Sequence, residues 1–383
     1  MNLVESSRYS DEVLNYCLGQ PEKDATVCAP VSQRIEDRLI KTALRQPVAN
    51  IVLAGVGCGR IVERLVRELP STVSLVVVEW VMDAARQARH DFPERSFYLV
   101  ADTSAMALFC LLRQSGLTPE NTLFLNNPEI ATRVQSETGA TLRQLFFKTQ
   151  PVAVHSSDES RTLTTAAILR PGEPDLSGFA TALPDYAHQT VLVWDALDVP
   201  VEEGALFSHL RGITQRARPL NADFAAQRNA MLELCQSEMV FSLDADERMS
   251  PALQQILPTL VGMDFDLIYF QRVTLYPDTH HTKIGFGLWP DLQPRLFRRY
   301  PGIRYIRPIH ERLEGTGSRV GLLLGAPIIH LQGILKDHCT LADKLRVFDA
   351  AASYGIKHHL SDEYPYVPLT SLVLSSPELV LLP

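Results

Sequence analysis

The stretch Met239–Pro251, "MVFSLDADERMSP", decides how the rest of the chain is read. An apolar run leads straight into Asp244, Asp246 and Glu247. The strand expected over 238–247 delivers Asp244 and Asp246 to its carboxyl end on one side of the pleat, because side chains alternate with period two. Two carboxylates aimed at one point repel each other unless a cation sits between them. Mg2+ or Mn2+ with a bound diphosphate is the natural occupant, since both ions take oxygen ligands from one or two carboxylates plus phosphates. The open carboxyl end of a parallel α/β sheet is also where ligands usually bind. The competing reading is that these acids only decorate a strand-to-loop turn.

The flanking sequence places this stretch in an α/β unit. Upstream, 162–170 reads as a strand, 175–186 as a helix, and 189–198 as a strand ending in Asp195 and Asp198. The segment 221–235 reads as a helix that Asn221 or Asp223 can cap. The first half of the chain repeats the alternation. Apolar strands are expected at 50–57, 73–80, 96–102 and 121–128, with helices at 60–69 and 104–116. Strands alternating with helices at this spacing predict parallel sheets. The expected organisation is a helical segment at 1–48, a Rossmann-like domain at 49–152, a second α/β domain at 158–358 and a tail at 359–383. The tail stretch "LTSLVLSSPELVLLP" (369–383) is apolar but broken by Pro377, which suits a docking helix or a truncated boundary better than a membrane anchor.

The 383 residues, 46% hydrophobic and 21% charged, suit a globular protein of two or three domains. A net charge of −8 argues against a general nucleic-acid binder, although a few local arginines suffice for phosphate. Cys17, Cys28, Cys58, Cys110, Cys235 and Cys339 form no Cys-x-x-Cys pair and read as reduced thiols of a cytosolic protein. The first residues lack the pattern of a signal peptide, and no apolar run reaches membrane-spanning length. The expected location is the cytoplasm, or peripheral attachment at the inner face of the membrane.

A second constellation lies at "LAGVGCGR", where Gly55, Gly57 and Gly59 fall between a strand and a helix. Such a turn lets backbone N–H groups and the helix N-terminus approach a ligand. Glu79 ends the next strand, where an acid can hold ribose hydroxyls, and Asp102 ends the third. This series over 50–130, with "NNPE" at 126–129, resembles the cofactor-binding half of S-adenosylmethionine-dependent methyltransferases. It equally resembles the nucleotide-fold N-terminal region of motility accessory factors. The resemblance implies S-adenosylmethionine or a nucleotide-like ligand. The alternative is a domain that keeps the glycines for tight packing and binds nothing.

The segment 223–253 resembles family-two-type glycosyltransferases with the GT-A fold. The likeness rests on the Arg228–Asn229 pair, the acids Asp244, Asp246 and Glu247, and the Pro-containing helix start. "DLQPRLFRRYPGIRYIRPIHERLE" (291–314), "PIIHLQG" (327–333) and "DKLRVFDAAASY" (343–354) extend it. The implied fold class is α/β with two Rossmann-like domains. The first is a methyltransferase-like parallel sheet, the second a GT-A-like nucleotide-diphospho-sugar transferase domain.

The implied activity is inverting, metal-dependent transfer of a sugar from a nucleotide-sugar to a hydroxyl of a surface glycan, a lipid-linked sugar or a protein such as flagellin. Asp244 would face the ribose or donor sugar and also serve the metal. Asp246 would hold the metal, with His310 as a further ligand. Glu311 or Asp291 would be the general base, and Arg228, Arg295 and Arg298 would meet the diphosphate. Asp195 and Asp198 would contact the donor nucleotide. The chain departs from the family at "AILRPGEP" (167–174), which lacks the Asn-Glu pair, and at "VWDALDVPVEE" (193–203), which lacks the glycine and serine of the nucleotide turn. Two rival readings are a methyltransferase acting on a glycan and a noncatalytic assembly protein of a glycan-synthesis complex.

Overall fold

The structure is a computed structural model, and it describes residues 1–16, 28–94, 96–130, 133–155, 161–336, 341–343, 345–346, 363–372 and 376–383. Most of the quoted stretch 343–354, together with Cys17 and Cys339, lies outside the described residues.

The first unit opens with α1 (Leu3–Asn15) and α2 (Gln33–Arg45). Asn2 and Glu5 cap α1 reciprocally, each side chain accepting from the other's backbone N–H. Then follow β1 (Asn50–Ala54), α3 (Arg60–Glu68), β2 (Ser74–Glu79), α4 (Met82–Asp91), β3 (Tyr98–Ala101), α5 (Ala105–Gln114), β4 (Thr122–Asn126) and α6 (Arg133–Lys148). The four strands are parallel in the order β3-β2-β1-β4. β1 and β2 are buried along nearly their whole length, which is why they read as unbroken apolar runs.

The second unit comprises β5 (Gln150–Val152), β6 (Leu163–Leu169), α7 (Leu176–Ala182), β7 (Gln189–Trp194), α8 (Val201–Ala205), β8 (Ile213–Ala217), α9 (Phe224–Leu234), β9 (Met239–Ser242), β10 (Glu247–Met249) and α10 (Pro251–Gly262). It continues through β11 (Leu267–Thr274), β12 (His281–Lys283), β13 (Leu292–Arg298), β14 (Arg304–Ile306), β15 (Arg312–Glu314), β16 (Val320–His330), α11 (Gln332–Leu335), β17 (Tyr366–Pro368) and β18 (Glu378–Leu381). Its ten-stranded sheet runs β5-β18-β16-β11-β13-β9-β6-β7-β8, with β10 paired to β16. β9, β6, β7 and β8 are parallel, whereas β13 runs antiparallel to both β9 and β11. The chain lays β7 and β8 on one side of β6 and then returns to place β9 on the other. That reversal falls at the carboxyl ends of β6 and β9, the place where ligands usually bind in such sheets.

Two expectations are corrected here. The tail is not a docking helix, because Glu378–Leu381 forms a strand between β16 and β5. The expected strand through 238–247 stops at Ser242, and Glu247–Met249 turns to pair antiparallel with β16. Among the described residues, no helix is long and apolar enough to cross a membrane.

The two units share one hydrophobic core. Tyr9, Val13 and the strands of the first sheet pack with Val273, Ile284, Trp289, Leu322 and Val380 of the second. The Tyr9 hydroxyl donates to Asp102 Oδ2 at 2.7 Å and accepts from Gly285 N–H at 3.0 Å. Gly285 has φ 69°, and a Cβ there would lie 2.8 Å from Val13, so only glycine fits this approach.

Burial pushes the Asp102 carboxyl up to about 6 from its ordinary 3.8, although the bonds from Tyr9 and Ser104 N–H favour the charged form. The folded chain therefore holds this proton more tightly than the unfolded chain. The contribution to stability is full below the unfolded value and is lost as pH rises through about 6. Asp102→Asn is expected to flatten the fall in melting temperature between those two values, relative to wild type. Parallel profiles for the two proteins would refute this.

Candidate active site

The glycine turn is present as a shape, with Gly55, Gly57 and Gly59 at φ 91°, 64° and 81°. Its acids are taken up by the chain itself, beside a cavity of about 450 Å³ lined by Ala54, Trp80, Asn126, Asn127 and Ile130. Glu79 is buried, its Oε2 accepting from Val56 N–H at 2.8 Å and its Oε1 from Trp80 and Val81 N–H at 2.9 and 2.8 Å. Burial raises the Glu79 carboxyl above its ordinary range, and these three bonds oppose that rise. Asp102 is equally covered, bonded to Tyr9 and Ser104. Beyond β4, Glu129 Oε2 accepts from Cys58 N–H at 3.1 Å and lies 2.5 Å from the place of a Cβ on Gly57. A carboxylate of the chain thus takes the position that an incoming anion would hold at a helix N-terminus. The expected cofactor residues Gly55, Gly57, Gly59, Glu79 and Asp102 build an internally satisfied turn, and S-adenosylmethionine finds neither acid open to its ribose.

The second constellation lies at the carboxyl end of β9. Leu243–Asp246 forms a turn, with Glu247 N–H donating to Asp244 O at 2.9 Å. The period-two expectation fails because the pleat has already ended, and the two aspartates part company. Asp244 lies between two arginines. Arg228 Nη2 donates to its Oδ1 at 2.7 Å and Arg295 Nη2 to its Oδ2 at 2.5 Å. Arg228 Nε also donates to Glu311 Oε1 at 2.6 Å. Arg295 Nη2 reaches Glu247 Oε1 at 2.6 Å, and Arg272 Nη1 reaches the same oxygen at 3.0 Å. Arg272 in turn holds Asp291 Oδ2 through Nε at 2.8 Å and Nη2 at 2.6 Å.

Secondary structure aims each of these groups. Arg228 projects from α9, whose first turn is capped by Asp223 accepting Ala226 N–H at 2.9 Å. The neighbouring Asn229 exchanges two hydrogen bonds with the Tyr305 backbone, at 2.8 and 2.7 Å, and so ties α9 to β14. Arg272 comes from β11 and Arg295 from β13. The Arg228 and Arg295 side chains are only 6% and 5% exposed, and Glu247 is fully buried. Burial works against ionising Asp244, but Arg295 and Arg228 outweigh it and hold its carboxyl well below the usual carboxylate range. Burial likewise opposes the charge on Arg228, and Asp244 and Glu311 overcome it.

Asp246 belongs to a separate cluster. Its Oδ2 accepts from Lys336 Nζ at 3.0 Å, and His330 Nε2 is 3.6 Å from its Oδ1. Lys336 also lies 3.4 Å from Glu173 Oε2. His330 Nδ1 is fixed by Thr274 Oγ1 at 3.0 Å, and Leu331 N–H donates to Asp246 O at 2.8 Å. Burial lowers the affinity of Lys336 for its proton, but Asp246 and Glu173 more than restore it.

Of the expected site residues, Asp244, Arg228, Arg295, Glu311 and Asp291 are brought together. The trio Asp244, Asp246 and His310 is not. His310 is exposed in the turn before β15, at φ 52°. Among the described residues, no three His, Cys, Asp or Glu side chains gather as a metal would need. Arg298 is also elsewhere. It is three residues from Arg295 on β13, and an odd spacing puts it on the opposite face. Its register partner is Met239, at the far end of β9 from Asp244, and it bonds Asp264 at 3.2 Å. Asp195 accepts Leu220 N–H at 2.7 Å just past β7, and Asp198 is exposed beyond it. Sequence reasoning passed over Arg272, Lys336 and Glu173. An arginine inside the apolar run of β11 was the available signal for the first.

No protein family model matches this chain. It is similar to the lipopolysaccharide core biosynthesis glycosyltransferase LpsC of Rhizobium meliloti (strain 1021), with 30% identity over 127 residues. The relative is a sugar transferase. The match covers 31% of this chain and 44% of the relative, so the chain spans less than half of the length of the protein it resembles. Among solved structures it is similar to S. aureus TarS 1-349 in complex with UDP-GlcNAc. There the TM-score is 0.35 and the identity 10%, over 52% of this chain and 68% of that one. S. aureus TarS 1-349 in complex with UDP gives a TM-score of 0.27 at 11% identity, over 36% of this chain and 46% of that one. At those TM-scores the likeness is slight, and the fold rests on the strand order described above.

The arginine–carboxylate network is sensitive to the loss of any one member. Arg295→Met should cost about 3–5 kcal/mol of folding stability, because Asp244 and the buried Glu247 each lose a partner. Denaturant unfolding checks this, and a loss below about 1 kcal/mol, the range of exposed pairs, would contradict it.

Proposed function

We propose that this chain is a glycosyltransferase that moves a sugar from a nucleotide-sugar donor to a hydroxyl acceptor with inversion. The observation that carries the reading is Asp244 held between Arg228 and Arg295 just past the strand end where the strand order reverses, with Glu311 and Asp291 on the same network. Among the described residues, Arg228 Nη1 and Arg295 Nε are buried donors with no hydrogen-bond partner, which supports a site completed by an anionic ligand. The likeness to a glycosyltransferase of lipopolysaccharide core synthesis favours a glycan or lipid-linked sugar as acceptor over a protein such as flagellin.

In the proposed reaction the acceptor oxygen bonds to the anomeric carbon as the bond from that carbon to the diphosphate oxygen breaks. The acceptor proton passes to a carboxylate, and the nucleoside diphosphate leaves. Glu311 is the stronger choice for that base. One arginine separates it from Asp244, whereas Asp291 is linked only through Arg272, Glu247 and Arg295. Fixed guanidinium donors counter the charge that develops on the leaving group without reorganising in the step. The expected Mg2+ or Mn2+ does not fit the donor set as arranged, since Asp244 is saturated by arginines and Asp246 and His310 do not join it. No step is therefore assigned to a metal. The methyltransferase reading loses its support at the glycine turn, which Glu79 and Glu129 close.

Calorimetric titration of the full chain with UDP, GDP, CDP and dTDP, alongside S-adenosylmethionine, tests the assignment. One diphosphate is expected to bind. Glu311→Gln is expected to keep that binding and to lower the rate of sugar transfer about 10²–10⁴-fold, the usual contribution of a positioned base. Binding of S-adenosylmethionine alone would overturn the reading, and no ligand binding at all would favour an assembly protein.

A further inference from the structure

The sequence calls for a cation beside Asp246, and the structure supplies one from the chain itself. Lys336 Nζ lies 3.0 Å from Asp246 Oδ2 and 3.4 Å from Glu173 Oε2. Its side chain is 7% exposed, with Asp246 at 10% and Glu173 at 15%. An ammonium between two carboxylates in so dry a setting takes the place a divalent ion would have. The cations around Asp244 are committed differently. Arg228 and Arg295 are buried and locked in ion pairs made by planar forks. Lys336 instead carries a compact charge on a flexible four-carbon stem, able to exchange one anion for another by rotating its side chain. It follows directly on the four-residue helix α11, which Leu331 anchors to the Asp246 backbone. Asp246, Glu173 and Lys336 together carry one net negative charge, so an arriving diphosphate requires a cation to turn toward it.

We propose that Lys336 is the mobile cation that moves to the diphosphate of the donor, in place of a divalent metal and beside the fixed Arg228 and Arg295. Asp246 and Glu173 hold the ammonium in the free protein, and the donor phosphates draw it over. Asp246 is then a positioning residue for Lys336 and not a metal ligand. The inference rests on the transferase reading above.

The test is calorimetric titration of the full chain with UDP, GDP, CDP and dTDP, each in EDTA and again in excess Mn2+. Wild type, Lys336→Met and Lys336→Arg are compared after melting curves show that each is folded. The expected result is a diphosphate that binds wild type equally well in EDTA and in Mn2+. Lys336→Met should weaken that binding about tenfold or more, with no rescue by Mn2+, and Lys336→Arg should retain most of it. Wild-type binding that appears only with Mn2+ would overturn the inference and leave the transferase reading standing. So would a Lys336→Met protein that binds unchanged, or more tightly once Mn2+ is added. Silence of wild type toward all four diphosphates would overturn the transferase reading itself, and this inference with it.

Discussion

The second unit depends on one arrangement, Asp244 clamped between Arg228 and Arg295. A charge taken out of water costs several kcal/mol unless partners repay it, and each member of this group is repaid by two others or by a partner shared with one. The clamp gathers three distant parts of the chain: helix α9, the turn after β9 and strand β13. Glu247 extends it to β11 through Arg272, and Glu311 extends it to the loop before β15. Removing water from these groups preserves the strength of their interactions.

Both constellations begin as glycines or acids at the end of a parallel strand, and they end differently. In the first unit the carboxylates face inward. Glu79 is spent on three backbone N–H groups, Glu129 on the turn at Gly57 and Asp102 on the Tyr9 contact that helps join the two sheets. Local acids satisfy the backbone donors that would otherwise recruit a ligand. In the second unit the carboxylates are answered by side-chain cations from other elements, so charge is concentrated just past the end of β9. The first sheet packs against the second through one shared core.

Much of the architecture was legible without coordinates. β1 to β4, β6, β7 and β9 stand out as apolar runs, because strands covered on both faces must be apolar, whereas the half-buried polar β8 gives no such signal; helices α3, α5 and α9 show their periodicity. Arg228, Asp244, Arg295, Glu311 and Asp291 were grouped by the resemblance to family-two-type glycosyltransferases and not by their spacing. The errors cluster where the decisive contact is non-local. The end of β9 depended on β10 finding β16, and the tail strand depended on β16 and β5 flanking it.

The sequence by itself determined which segments are strands and helices, since burial on one or two faces writes a period into the residues. It also determined that Asp244, Asp246 and Glu247 would follow directly on the apolar β9 segment. Only the tertiary structure decided what each charge would face. Asp244 and Asp246 are two residues apart, yet one pairs with arginines from α9 and β13 and the other with a lysine ninety residues downstream. Side-chain pairing depends on distance through space, and a buried charge takes whichever partner the fold delivers within about 3 Å.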